Sequence, residues 1–596
     1  MDKQYKWDLT KFCSSIDDCK AKMNNVLVDS KNLDKYLGHL NEKDILIKYL
    51  KESMEITNRF YICYVYSFAG LDAEFDNEKL KELNNWIQMK SAEFSKLEAP
   101  FTAELKTLDE EYLKGLKSEP AYSEWKFYLD GLIRVNKHLL GEVEEKILAE
   151  FSALSQGFKS INNNCYFSDI KYEDVEDEKG EKHHLNTGNM GKFIQSSDRT
   201  LRKNTAISAK KAYSFYGDLM TQNFISLLKT RVAENKIRKY DSVLSRVLEG
   251  YFIDEKVYQN VINYAKEYFD IVIRYYECKR KLLGLDKLYS FDKMAPLNFK
   301  QNTYTFEEGF NIVKNAMSVL GQDYVELLDR AYNERWMDVY PRDTKRSGGY
   351  TWGTYGITNI VLLNWTDDLD SVFTLAHELG HAIHEYTLYQ HQEVQNSDVP
   401  LFIAEVASTF NENILFDYIY KNATSVDEKF ALLDYYTHNI IRTVFNQCTY
   451  SEFEDFCYKT IENEEPISKE IISKKWCELV SNPLDGVIDG SYSNPLSWQN
   501  FTHFYDSSYY VWQYALAYTI SSEFSARVLN GGEKDRKDYF EFLAGGHQEK
   551  PTELLKRLGI DINSKDFCES SFKNFEKAVD RFEKETDIYL SKRTVK

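Results

Sequence analysis

The stretch Thr374–His384, TLAHELGHAIH, restricts what this chain can fold into more than any other. It holds three of the 11 histidines, with a glutamate directly after the first. His377 and His381 are four residues apart, and on an α-helix that spacing puts both imidazoles on one face. With His377 at 0° and steps of about 100°, His381 falls at about 40°, His384 at about −20° and Glu385 at about 80°. Val372, Leu375, Leu379, Ile383 and Tyr386 gather between roughly 140° and 240°. The segment is therefore expected to be a helix with an apolar back and a polar, metal-capable front. Asp367, Asp368 and Asp370 offer caps and favourable charge at its start. Gly380 costs about 1 kcal/mol in a helix interior relative to alanine. A close approach of another backbone would explain it.

His377, Glu378 and His381 form H-E-x-x-H. In that pattern the histidines hold zinc and the glutamate serves as general base towards water at the metal. The plain alternative is a helix with incidental histidines. A catalytic zinc normally takes three protein ligands. A third histidine in H-E-x-x-H-x-x-G-x-x-H fails here, because His384 occupies the glycine place and Thr387 the last histidine place. A glutamate from a following helix remains. Pro400–Tyr418 reads PLFIAEVASTFNENILFDY, with Asp398 as a cap and Pro400 suited to the first turn. With Glu405 at 0°, Glu412 lies at about −20°, while Ile403, Val406, Ala407, Phe410 and Ile414 take the other side. Glu405 is expected as the third ligand and Glu412 as the carboxylate that orients a ligating imidazole. His384 shares the ligand face one turn on and is expected to line the cleft or stand behind the ligands.

The rest of the chain supports a large helical protein. Nine prolines interrupt 596 residues, which favours long helices. Residues 8–160 read as successive amphipathic helices, most plainly over Lys79–Glu110. Residues 161–191 turn polar and rich in Asn and Gly, a loop or short hairpin and a candidate boundary. His183 and His184 are adjacent there and point apart, which suits a surface. We divide the chain into an N-terminal helical domain over 1–190 and a catalytic domain over 191–596. Arg346–Trp365, RSGGYTWGTYGITNIVLLNW, breaks the helical pattern and predicts strands beside the histidine helix.

A net charge of −19 argues against nucleic acid as a partner. No run of about 18 apolar residues could span a membrane, and the opening MDKQYKWDLTKF has no apolar signal core. The nine cysteines are odd in number and scattered without C-x-x-C, which suggests neither a disulfide framework nor a cysteine zinc site. A cytoplasmic location follows as the simplest expectation.

H-E-L-G-H at 377–381 followed by I-A-E-V-A-S-T at 403–409 resembles the thimet-type oligopeptidase family of zinc peptidases, family M3, and most nearly its oligoendopeptidase F branch. The likeness extends to YKWDLTKF at 5–12, KRSGGYTWGTYG at 345–356, NIVLLNW at 359–365, HFYDSSYYVWQYA at 503–515 and AGGHQEKPTELLKRLGID at 544–561. It implies a mainly α fold, a helical clamshell with a deep channel and a small β element beside the zinc helix. It implies a monomer that takes one zinc ion through His377, His381 and Glu405, and that cuts internal bonds of short peptides with Glu378 as base. It implies that His503 and Tyr505, and less directly Tyr509 and Tyr510, bind the substrate carbonyl. Trp512 stands where relatives often carry a tyrosine, and Gly348–Gly349 match a loop that closes on substrate. A zinc exopeptidase and a non-catalytic peptide-binding protein are the alternatives.

Overall fold

The structure is a computed structural model that describes residues 3–297, 299–300 and 302–594. It is 72% helical, so the mainly α expectation holds. The scarcity of proline shows directly in helix length. Lys43–Ala73 runs for 31 residues and Glu78–Lys106 for 29, the latter with Pro100 inside it. No helix among the described residues is long and apolar enough to cross a membrane.

The chain divides into two compact units, each assembled from three separate stretches. The first comprises Met1–Leu139, Gln301–Asn422 and Ile520–Asp561; the second comprises Leu140–Lys300, Ala423–Thr519 and Ile562–Lys596. The division drawn from composition at 190/191 falls inside the helix Thr187–Ile194, within the second unit. Composition follows the chain, whereas compactness follows contacts made across hundreds of residues.

In the first unit, the helices Ile16–Asn32, Lys43–Ala73 and Glu78–Lys106 share one apolar core. Phe60 stacks on Phe94 and Tyr49 on Phe101. A second core joins Trp7, Phe12, Val65, Ala69 and Ala73 to Ile360 and Leu362 of a small sheet. That sheet is the β element expected near residue 360. Strand Asn359–Leu362 lies in the middle, antiparallel to Tyr350–Gly353 and parallel to Met337–Asp338. Its Ile360, Val361 and Leu362 are all buried, as a strand covered on both faces requires. The sheet places Thr351 and Gly353 against the helix Leu369–His391.

In the second unit, the long helix Lys565–Thr594 packs on Asp270–Leu282, where Tyr275 meets Phe582 and Arg274 pairs with Asp580 and Glu583. The polar stretch 161–191 contains the expected hairpin, Val175–Glu176 against Lys182–His183. His183 bonds Asp177 at 3.0 Å and His184 bonds Asp174 at 2.9 Å, so the two rings do part company.

Candidate active site

The histidine helix spans Leu369–His391, and the Asp368 side chain caps it by accepting from the Ser371 N–H at 2.8 Å. The glutamate helix spans Leu401–Asn422. Just before it, the Asp398 side chain accepts from the Val399 N–H at 2.9 Å, and the Pro400 carbonyl accepts from the Ala404 N–H. The two helices cross at Gly380. A Cβ there would stand 2.6 Å from the Ala407 carbonyl oxygen and 2.7 Å from Ser408 Cα. The glycine is the close backbone approach that its place in a helix interior implied.

That crossing brings three donor atoms together. His377 Nε2 and His381 Nε2 are 3.2 Å apart. Glu405 Oε2 lies 3.5 Å from the first and 3.7 Å from the second. A tetrahedral zinc with bonds of about 2.0–2.1 Å needs ligand atoms about 3.3–3.4 Å apart. The triangle has that size, and two imidazoles with a carboxylate are donors that suit zinc.

Neighbours fix the donors. Glu412 Oε1 sits 2.5 Å from His377 Nδ1, the place expected for it, and leaves Nε2 facing the triangle. Burial opposes a charge on His377, but Glu412, with Glu405 and Glu378, outweighs it and lifts the pKa to about 10. Burial lowers the pKa of His381, whose ring hydrogen-bonds the backbone of Ala404. Three carboxylates around two imidazoles form a site with negative charge to spare, which favours a divalent cation.

Glu378 points from the same helix and is 6% exposed. Thr351 donates to its Oε2 at 2.9 Å, and Gly349, lacking a Cβ, leaves room beside Oε1. Gly348 takes a left-handed turn at φ 84°. His384 stands apart from the triangle. It is 1% exposed, its ring stacks on Phe542, and burial drops its pKa to about 3. It backs the helix rather than joining the donors.

Several supports carry no sequence pattern. Thr351 is one. Glu385 is another: its Oε2 accepts from Asn359 Nδ2 at 2.5 Å, and Gly353 has no Cβ to collide with it. Burial pushes the Glu385 pKa up to about 8. Asn411 donates to the Ala376 carbonyl at 3.0 Å and accepts from the Tyr324 hydroxyl at 2.9 Å. Asn411 had a readable signal, since it lies at about 240° on its helix, among the apolar positions.

The other expected residues belong to the second unit. Tyr505 and Tyr509 point into its core. The Tyr505 hydroxyl is buried, with the Asn162 and Asn223 side chains as its polar neighbours. Tyr509 is 0% exposed, with its hydroxyl 3.1 Å from Asp455 and its ring on Tyr458. Trp512 is fully buried too. His503 and Tyr510 are half-buried and lie side by side, ring centroids 5.7 Å apart. Burial lowers the His503 pKa. Arg231 holds this segment by donating to the Phe504 and Tyr505 carbonyls at 2.8 and 2.7 Å.

Comparison with known proteins decides the family. The model of peptidase family M3 matches residues 192–574, and an N-terminal model described as Oligopeptidase F matches residues 104–172. The chain belongs to peptidase family M3. It is 30% identical over 563 residues to oligopeptidase PepF of Bacillus subtilis, covering 93% of this chain and 83% of that protein. A crystal structure of a candidate peptidase from Chlamydophila abortus superposes with a TM-score of 0.91 at 27% identity, covering 98% of this chain and 99% of the other. Oligoendopeptidase-F from Enterococcus faecium shares the fold, with a TM-score of 0.72 at 22% identity over 95% and 98% of the two chains. The resemblance read from the motifs is thus borne out, and this M3 protein is a metalloendopeptidase rather than a non-catalytic peptide-binding protein.

Proposed function

We propose that this M3 peptidase is a zinc-dependent oligoendopeptidase that cuts internal bonds of short peptides. The observation that carries this reading is the zinc-sized triangle of His377 Nε2, His381 Nε2 and Glu405 Oε2. Zinc held there supplies Lewis acidity, drawing the pKa of water towards about 7 and polarising the scissile carbonyl. Glu378 is the base: its carboxylate takes a proton from the attacking water and passes it to the leaving amine nitrogen. Thr351 steadies Oε2 of that carboxylate and leaves Oε1 for the proton. Glu412 holds the His377 tautomer in which Nε2 is the free donor.

His503 and Tyr510 are the half-buried side chains among the expected residues of the 503–510 segment, and the family resemblance gives them the role of meeting a substrate carbonyl. Tyr505 and Tyr509 serve as its buried supports. An oxyanion donor of this kind is worth roughly 10²–10³ in kcat. The same reading makes the chain a cytoplasmic monomer acting on short peptides.

The test is cleavage of an internally quenched peptide of about ten residues, with fragment masses recorded before and after chelation. Internal cuts that stop with chelator and return with zinc are expected. Trimming from one end would replace this reading with the exopeptidase one.

A further inference from the structure

The structure gathers three cysteines that their sequence spacing keeps apart. Cys13, Cys19 and Cys63 place their sulfurs within 4.8 Å of one another, and all three are buried. Scattered in the sequence without C-x-x-C, these three are nonetheless neighbours in space. Among the described residues, the other six cysteines form no such group. Buried cysteine is often only a small apolar filler, and these three do sit in the core of the first unit. Packing alone, however, does not require three sulfurs to face one point.

The surroundings favour a thiolate at Cys63, while shared thiol protons and burial hold the Cys13 and Cys19 thiols above their usual range. Cys19 lies in the first turn of the 17-residue helix Ile16–Asn32, near its positive end. The Lys22 ammonium is coupled electrostatically to Cys13 and Cys63, and is held by the Phe12 carbonyl at 2.9 Å and by Asp18 at 3.0 Å. Hydrogen bonds from the Cys13 and Cys19 thiols hold the Cys63 thiol below its usual range. Ser14 and Ser15 are exposed beside Cys13, and their loop is held by the Asp18 carboxylate, the Ser15 cap and the Lys22 contact to the Phe12 carbonyl.

We propose that Cys13, Cys19 and Cys63 form a three-thiolate site for one soft monovalent cation, copper(I). Sulfur-only donors select soft ions. Structural zinc is closed by four ligands, and this group offers three, with no nitrogen or carboxylate oxygen among them. A trigonal site with metal–sulfur bonds of about 2.3 Å sets its sulfurs about 4 Å apart, within a small contraction of the arrangement seen. Each thiol that binds gives its proton to solvent and no electron is transferred. Three thiolates and one copper(I) leave two negative charges, which Lys22 and the helix terminus offset in part. The site shares no residue with the peptidase centre and does not depend on the zinc reading.

The test uses the full chain, reduced, zinc-loaded and free of oxygen, given copper(I) as its acetonitrile complex against a coloured copper(I) chelator. We expect one copper retained per chain, with thiolate-to-copper ultraviolet absorption. Cys63→Ser should release it to the chelator, whereas Cys457→Ser, outside the group, should keep it. Copper K-edge absorption on the unaltered chain settles the case even if Cys63→Ser fails to fold: a three-sulfur shell supports the site. A shell of nitrogen and oxygen, or full loss of copper to the chelator from the unaltered chain, overturns it.

Discussion

At the scale of single residues, the centre separates holding from reacting. His377, His381 and Glu405 present the donor atoms, while Glu378 faces the same space without joining their triangle. Glu378→Gln should therefore keep zinc, measured by metal content after dialysis, and lose about 10²–10⁴ in turnover. Turnover close to that of the unaltered enzyme would remove Glu378 from its role. Glu412 acts through His377. Removing its carboxylate takes away the acceptor 2.5 Å from Nδ1 of a half-buried imidazole. Glu412→Ala should weaken zinc about 10–100-fold. Glu412→Gln, which still offers an oxygen to Nδ1, should recover part of that loss. Equal zinc affinity in all three proteins would show that Glu412 merely fills space. Competition with a zinc-sensing dye distinguishes these outcomes.

At the scale of elements, the site is a helix crossing, and Gly380 sets its distance. Alanine is the better helix former by about 1 kcal/mol. Here its Cβ would meet the backbone of Ala407 and Ser408, which cannot swing aside as a side chain can. Overpacking of this kind costs about 1–3 kcal/mol, so contact outweighs propensity. Gly380→Ala should lower the melting temperature and weaken zinc, because the displaced helices carry opposite sides of the donor triangle. A raised melting temperature would mean that the crossing relaxes freely. The crossing was largely legible beforehand. Two helical periodicities put His377 and His381, then Glu405 and Glu412, on polar stripes, and the misplaced glycine announced a close neighbour. Strands near residue 360 were legible from glycines and a β-branched pair. Thr351, Asn359 and Glu385 were not, because contact between a strand and a helix leaves no periodic trace in either. The directions of Tyr505, Tyr509 and Tyr510 were illegible for a related reason. The segment opens with a single helical turn, His503–Asp506, and then turns irregularly with Tyr509 at φ 48°, so no one angle per residue relates its side chains.

At the scale of the whole molecule, chain order and compactness part ways. The family matches begin at 104 and 192 and follow the sequence, yet each compact unit draws on three separate stretches. Residues meet that no local pattern connects, as Cys13 meets Cys63, and as Arg231, Glu454 and Tyr509 meet in the second unit. Glu454 is 1% exposed and accepts from the Tyr509 N–H at 2.9 Å. Burial pushes its pKa up to about 8; Tyr509 and Arg231 pull it down only in part. In the unfolded chain its pKa is about 4.3. Between those values the folded state holds a proton that the unfolded state has released. Stability must therefore fall as pH rises through that window, by on the order of a few kcal/mol when the window is crossed. Glu454→Gln keeps an acceptor for Tyr509 and removes the titration. Its melting temperature should draw level with the unaltered protein near pH 5 and exceed it increasingly towards pH 8. The difference between the two proteins isolates this group from every other titration they share. A variant that melts lower at pH 8 would mean that the carboxylate is ionised against Arg231, and that their attraction, rather than burial, governs this part of the fold.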